Sequence, residues 1–280
     1  MIDMRVRLTN EFRQVTKDEM KDFYGKYSEV MNLGDFNKLT IEHLIHELNR
    51  NNIDLAVVHA EYEFGEDADL LNKHVGELVK KYSKQLMGFG TVNLNDLQPM
   101  KLVNQVQQIH ALGLKGINLQ PVFFNVNPLD AKLYPLYAAA SQYELILSFH
   151  TGIHYSLKTP FVNNNPLFID QIAVDFPNLS IIANHGGWPW TPEMTAVARR
   201  HSNVFIEFGG MDPKYIGVPG AGWETLITLM DNLLSNQILF GTDWPVMNHQ
   251  RVINGWNKLG LKEEVIEKLF HKNAERLLIT

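Results

Sequence analysis

The sequence predicts an α/β fold of the (β/α)8 TIM-barrel class, a single domain over residues 1–280, on three observations. Eight short apolar runs recur along the chain. Amphipathic segments separate them, and no Gly/Ser/Pro-rich linker or low-complexity stretch divides the whole. Strands that alternate with helices pair in parallel through right-handed crossovers, and eight such units can close a barrel. A doubly wound open sheet is disfavoured by the strand count and by the lack of a Gly-x-Gly-x-x-Gly turn after an early strand.

The elements follow in order. Residues 1–8 form the first predicted strand, and the connection from Thr9 to Thr40 is long and rich in aromatic and charged residues. Connections of that length more often serve function than idle, so this one is expected to cap the barrel mouth. Its aromatics Phe12, Phe23, Tyr24 and Tyr27 either cover that mouth or meet another copy of the chain in a homo-oligomer. Further strands are predicted at 53–59, 86–92, 114–120, 145–150, 179–184, 204–210 and 238–243. The intervening amphipathic segments are Ile41 to Asn49, Asp69 to Tyr82, Met100 to Leu112, Leu129 to Gln142, Pro166 to Phe176, Met194 to His201 and Trp223 to Leu234. Ala56 to Val58, Ile181 to Ala183 and Ile238 to Phe240 are apolar without alternation, as suits strands covered on both faces. Lys262 to Leu278 reads as one or two helices packed outside the barrel.

Composition narrows the function. A chain of 280 residues fits a barrel, which typically needs about 250, and it buries enough surface to need no covalent staple. The absence of cysteine excludes disulfides and thiolate chemistry and fits a reducing compartment. No leader-like start and no apolar run of about 18 residues is present, so a cytoplasmic protein with no membrane partner is expected. The net charge of −6, without a long basic run, argues against a nucleic-acid surface. The cluster Lys80, Lys81 and Lys84 reads as a solvated helix end.

Three of the apolar runs end in a residue able to bind a metal or move a proton: His150, His185 and Asp243. The carboxyl ends of barrel strands converge on one mouth, so these three are expected in a shared site. One histidine on an apolar element is usually a satisfied core residue. A carboxylate behind Ile-Leu-Phe-Gly-Thr, however, needs a cation or hydrogen bonds to offset its burial. Gly186-Gly187 permits close backbone approach to a ligand, and Trp188 offers a rigid wall for substrate. On the first strand Arg5 and Arg7 lie two apart and share a face, with Asp3 expected on it as well. Guanidinium groups cannot shed their charge, so each needs an anion. Asp243 and Glu207 are available, and so is the carboxylate of a small anionic substrate. His59, His154 and Gln120 are placed to line the mouth, though His59 and His154 read first as hydrogen-bonding or loop residues. His43, His46, His74, His110 and His201 fall in helical stretches and read as exterior.

Five elements in barrel order carry a family resemblance: Ile2-Asp3 on the first strand, His150-Thr151-Gly152, His185-Gly186-Gly187-Trp188-Pro189-Trp190, Gly241-Thr242-Asp243-Trp244-Pro245 and Asn273-Ala274-Glu275-Arg276-Leu277-Leu278. Over essentially its whole length the chain resembles the amidohydrolase superfamily. The similar branch includes aminocarboxymuconate-semialdehyde decarboxylase, resorcylate decarboxylases and dicarboxylate lactonases. The resemblance implies that His150 and Asp243 are metal-ligand positions. It also implies that Asp243 shuttles the proton of an activated water and that His185 polarises or protonates the substrate. In that family a His-x-His pair on the first strand completes the metal site, and the aligned residues here are Arg5 and Arg7. A guanidinium repels a cation, so two expectations stand side by side: one zinc-like divalent ion on His150 and Asp243, or a metal-free site. The function expected is hydrolysis of a small carboxylated lactone or ester. The alternatives are decarboxylation in the same site and a barrel that binds an organic acid without turnover.

Overall fold

A computed structural model gives the structure of the protein and describes residues 1–13, 15–25 and 38–279. Eight parallel strands follow one another around a single sheet in chain order. They are β1 (Ile2–Arg7), β2 (Leu55–His59), β3 (Leu86–Gly90), β4 (Gly116–Leu119), β5 (Ile146–Phe149), β6 (Ile181–Ala183), β7 (Val204–Glu207) and β8 (Ile238–Leu239). The sheet closes on itself where β8 and the segment after it return to β1. Met4 N–H donates to Phe240 O at 2.9 Å, Asp243 N–H to Arg5 O at 2.8 Å and Arg7 N–H to Trp244 O at 2.8 Å. The architecture is therefore the (β/α)8 barrel that the alternation predicts.

The helices, in chain order, are α1 (Asn10–Arg13), α2 (Lys17–Tyr24), α3 (Ile41–Arg50), α4 (Ala68–Lys81), α5 (Pro99–Ala111), α6 (Tyr134–Gln142), α7 (Leu167–Asp175), α8 (Thr191–Arg200), α9 (Pro213–Ile216), α10 (Glu224–Met230), α11 (His249–Asn257), α12 (Glu263–Glu267) and α13 (Asn273–Ile279). Apolar side chains on their inner faces, such as Leu44 and Leu48 of α3 and Val106 and Ile109 of α5, meet the outward residues of the strands in one continuous core. Part of the first connection, with Tyr27, lies outside the described residues. The part described covers the mouth as expected: Met20, Phe23 and Tyr24 of α2 pack on Val122 and Phe123 after β4.

The barrel interior has two storeys. The lower is apolar, built from Ile2, Met4, Val57, Phe89, Ile146, Ile182, Phe205 and Leu239, and Ala274, Leu277 and Leu278 of α13 close it from below. The tail is thus not a purely external layer: its last helix turns an apolar face into the barrel's amino-terminal opening. The upper storey carries polar side chains on the same inward faces, including His59, Asn118, Ser148 and Glu207. The change between storeys on β1 occurs at a break in the ladder between Asp3 and Val6. A β-bulge of this kind re-aims side chains, so Met4 and Arg5, although consecutive, both serve the interior. It also overturns the expectation for Asp3, which faces outward. Its carboxylate accepts Thr242 N–H at 3.1 Å and Thr242 Oγ1–H at 2.6 Å, and lies 3.1 Å from His249 Nε2 on α11.

Closure of the lower storey predicts a contrast within one helix. Leu277→Ala, which opens a buried contact, should lower stability by about 2 kcal/mol or more. Ile279→Ala, at a position 74% exposed, should leave the thermal midpoint unchanged.

Candidate active site

The upper storey opens into a cavity of about 760 Å3, counting its mouth, at the carboxyl ends of the strands. Arg5, Arg7, His150, His185 and Asp243 all line it, with Arg13, Glu63, Gln120 and His154 beside them. Apolar and aromatic walls come from Met20, Tyr24, Phe64, Phe123, Tyr155 and Met211. The structure therefore brings together the three strand-end groups and both arginines. Trp188 stands apart, because its indole N–H donates to Ala221 O at 2.9 Å and the side chain does not line this cavity.

Arg5 is the hub. Its Nε–H donates to Asp243 Oδ1 at 3.0 Å, Nη2–H to Glu61 Oε1 at 2.7 Å, and Nη1–H to His59 Nδ1 at 3.2 Å and Asn118 Oδ1 at 3.4 Å. The tautomer of His59 follows from its other nitrogen, which lies 2.9 Å from Met4 O and must carry the proton to donate there. Burial and the neighbouring Arg5 charge push the His59 pKa down to about 3, so the ring stays neutral. Glu61 is held in turn by Gln120 Nε2–H at 2.6 Å. Burial alone would raise the Glu61 pKa, but Arg5 and Arg7 outweigh it and bring the carboxyl down to about 2.

Arg7 donates from Nη1 to Asp243 Oδ2 at 3.4 Å and from Nη2 to Glu63. Glu63 also accepts Tyr24 Oη–H at 2.7 Å and Arg13 Nη2–H at 3.4 Å, which fastens α1 and α2 to the mouth. Arg13 reaches Glu66 Oε1 through Nε at 3.1 Å and lies 5.6 Å from the centre of the Phe64 ring. The ion pairs Arg5–Glu61 and Arg7–Glu63 share one sequence offset, because Glu61 and Glu63 continue β2 beside β1.

His150 and His185 lie with ring centroids 4.5 Å apart. Asn164 Nδ2 donates both to Gly152 O at 3.0 Å and to His150 Nδ1 at 2.7 Å. The carbonyl fixes the orientation of the amide, so His150 Nδ1 is an acceptor and Nε2 carries the ring proton. His185 has the opposite arrangement: Nδ1 lies 2.6 Å from Gly209 O and must donate, which leaves Nε2 as an acceptor. Burial first holds both rings neutral, followed by the neighbouring His185 and His154 for His150 and by Arg5 for His185, which is pushed down to about 3. Gly152 permits this meeting of loops, since a Cβ there would lie 2.4 Å from Trp188 O.

Asp243 and His185 both have left-handed backbone, at φ 55° and 63°, an uncommon conformation for residues with a side chain. They flank Gly210, where a Cβ would lie 3.4 Å from His185 Nδ1 and 3.5 Å from Asp243 Oδ2. Burial pushes the Asp243 carboxyl up to about 6 against the pull of Arg7 and Arg5. Glu207, offered by the sequence as a partner for Arg5, instead accepts Gly209 N–H, and its Oε2 has no partner. Its side chain fills the space that a Cβ on Gly241 would take, and burial drives its pKa up to about 8.

A divalent cation does not fit this donor set. Both oxygens of Asp243 face guanidinium groups, and the Nδ1 lone pair of His150 is taken by Asn164. His185 Nε2 is left as an imidazole acceptor turned to the cavity, beside His154, whose ring nitrogens have no partner, and no group of three or more His, Asp or Glu among the described residues could hold a metal ion. Sequence reasoning did not single out Glu61, Glu63, Arg13 or Asn164. Two acids spaced as the two arginines, directly after the neighbouring strand, were the available signal for the first pair.

A family model described as amidohydrolase matches residues 2–279. None of the curated proteins matches the chain. Among solved structures, an uncharacterized TIM-barrel protein from Bordetella bronchiseptica is similar over 100% of this chain and 98% of its own, at 24% identity and TM-score 0.80. A dihydroxybenzoic acid decarboxylase from Polaromonas, with bound manganese and an inhibitor, covers 99% and 96% at 14% identity and TM-score 0.72. A probable 2-pyrone-4,6-dicarboxylic acid hydrolase from Acinetobacter baumannii, with citric acid bound, covers 100% and 99% at 13% identity and TM-score 0.66. At these identities the likeness is one of fold.

The raised Glu207 carboxyl has a consequence for stability. The folded state holds this proton more tightly than the unfolded chain, so the contribution is complete below about 4.5 and is lost as pH rises through about 8. Glu207→Gln, which keeps the shape and the acceptor for Gly209, should flatten the fall in thermal midpoint between pH 5 and 9 relative to the parent protein.

Proposed function

The chain belongs to the amidohydrolase family, and from that premise we propose that it is a hydrolase of small carboxylated esters or lactones. One observation carries this reading: the cavity presents a carboxylate, a neutral N–H donor, a neutral nitrogen acceptor and a guanidinium to the same space. These are the groups that acyl transfer to water requires.

Asp243 has the basicity for the task, since a carboxyl raised to about 6 is ionised at neutral pH yet binds a proton better than an ordinary aspartate. It takes a proton from water as that oxygen attacks the acyl carbon. His150 Nε2–H donates to the carbonyl oxygen as negative charge develops there, and His185 Nε2 accepts from the attacking water or a substrate hydroxyl. Collapse breaks the acyl carbon–oxygen bond, and the leaving oxygen takes the proton back from Asp243. Arg7 holds the substrate carboxylate. Its bonds to Asp243 and Glu63 engage two of the five N–H groups of a guanidinium, and the side chain reaches the cavity. Arg5, bonded from all three of its nitrogens, acts by charge. The apolar walls suit a planar or hydrocarbon body behind the carboxylate.

Decarboxylation in the same site is the second reading, supported by the decarboxylase among the similar folds. It needs the opposite form of Asp243, a protonated acid that delivers a proton to carbon as carbon dioxide leaves.

The sign of one pH limb separates the two. Hydrolysis predicts a kcat/KM that rises with pH through about 6, with acid released for each turnover. Decarboxylation predicts a fall through the same range, with carbon dioxide released. Asp243→Asn should cost about 100-fold or more in kcat with the fold intact by circular dichroism. Undiminished turnover in that variant would remove both readings.

A further inference from the structure

Asp243, whose carboxylate faces the cavity, has left-handed backbone at φ 55°, and three consecutive N–H groups around it are held. Thr242 N–H donates to Asp3 Oδ1 at 3.1 Å, Asp243 N–H to Arg5 O at 2.8 Å, and Trp244 N–H to Thr242 Oγ1 at 3.1 Å. The Thr242 hydroxyl in turn donates to Asp3 Oδ2 at 2.6 Å, and Arg5 N–H donates to Asp3 Oδ1 at 3.0 Å. One carboxylate on the outer face of β1 therefore ties down the backbone around both members of the Arg5–Asp243 pair. We propose that Asp3 is a positioning residue for Asp243: acting through Thr242, it fixes the backbone on either side in the conformation that turns the Asp243 carboxylate to Arg5, Arg7 and the cavity.

A left-handed conformation is disfavoured for a residue with a side chain and persists where the surroundings over-determine it. In a regular strand Asp3 would share the inward face with Arg5. The break between Asp3 and Val6 turns it outward, to where Thr242 and His249 lie. Asp3 and Thr242 are fully buried and neither lines the cavity, so neither touches substrate. His249 Nε2 lies 3.1 Å from Asp3 Oδ2 but makes no hydrogen bond, which leaves Thr242 as the link to the turn. Displacing a reacting group by about 1 Å can cost about 100-fold in rate, so such a clamp bears on the chemistry from a distance. Its importance for turnover rests on the proposed proton transfer at Asp243; its hold on the Asp243 carboxylate does not.

Thr242→Val keeps the shape and the backbone bond to Asp3 but removes the hydroxyl, which releases Trp244 N–H and Asp3 Oδ2. Thr242→Ser keeps that hydroxyl. Crystal structures of the parent and both variants, together with kcat and KM for 4-acetoxybenzoate as a carboxylated ester, read position and turnover separately. In Thr242→Val the Asp243 carboxylate should move from Arg5 by about 1 Å or more. Its kcat should fall about 10- to 100-fold with KM within about threefold, because Glu63 still holds Arg7. Thr242→Ser should keep the geometry and kcat of the parent. Asp3→Asn, which sets an amide N–H against the hydroxyl, serves if the valine variant does not fold, and should show the same displacement. A folded Thr242→Val or Asp3→Asn with Asp243 in place, having lost thermal stability alone, would overturn the proposal. A displaced carboxylate with kcat unchanged would uphold the positioning and remove Asp243 from the chemistry. Failure of the parent to hydrolyse the ester would count against the hydrolytic reading only, and the place of Asp243 in the variant structures would still decide the role of Asp3.

Discussion

The buried charge on Arg5 is the constraint from which the rest of the site follows. A guanidinium at the centre of a barrel cannot neutralise itself, and its burial is tolerable only with near-complete pairing. Asp243 from the segment after β8 and Glu61 from the end of β2 supply the anions, while His59 and Asn118 fill the remaining directions. These partners come from both edges of β1 and from β4 across the barrel. The same bonds that satisfy the charge therefore pin the strand ends that form the mouth. Breaking one of them leaves an uncompensated ion in a low-dielectric setting, so the pairings specify the arrangement even where their net contribution to stability is small.

Electrostatic order extends outward from that centre. Arg7 shares Asp243 with Arg5 and hands the alternation on to Glu63, which Arg13 and Tyr24 then hold. Positive and negative groups alternate from the barrel axis to the covering helices α1 and α2, and the cover is thus tied to the chemistry below it. Against this charged side stand the histidines, kept neutral by burial and the arginines, and fixed in complementary tautomers by Asn164 and Gly209. The cavity is consequently charged on one flank and lined by neutral histidines on the other, with aromatic side chains on both: Phe64 beside Arg13, and Phe123 against His150 and His154.

Much of this was legible in the sequence. Eight apolar runs at barrel spacing predict the sheet, and each predicted strand overlaps an observed one. His150, His185 and Asp243 were readable because a titratable residue that closes an apolar run has one place to go in a parallel barrel. Periodicity failed where local backbone departs from the ideal. A regular strand would turn Asp3 and Arg5 to the same side, but the break between Asp3 and Val6 separates them. Amphipathic periodicity in the tail reports an apolar face and not the surface it covers; Leu277 and Leu278 cover the barrel's own opening. Glu61 and Glu63 lie past the end of a strand, where periodicity carries no weight and only the matching spacing of Arg5 and Arg7 points to them. The first helix after β8, α11, gives the sequence little periodic signal, its apolar residues being Val252, Ile253 and Trp256 alone.

The irregularity in β1 has a further meaning for how such a chain can change. With Met4 and Arg5 both turned inward, one strand contributes to an oily foundation and to a charged workplace on successive residues. Below that step, substitutions are judged by volume; above it, by charge and hydrogen bonding. A barrel divided in this way can exchange the chemistry at its rim while the foundation stays untouched, and the dividing line runs through a single peptide.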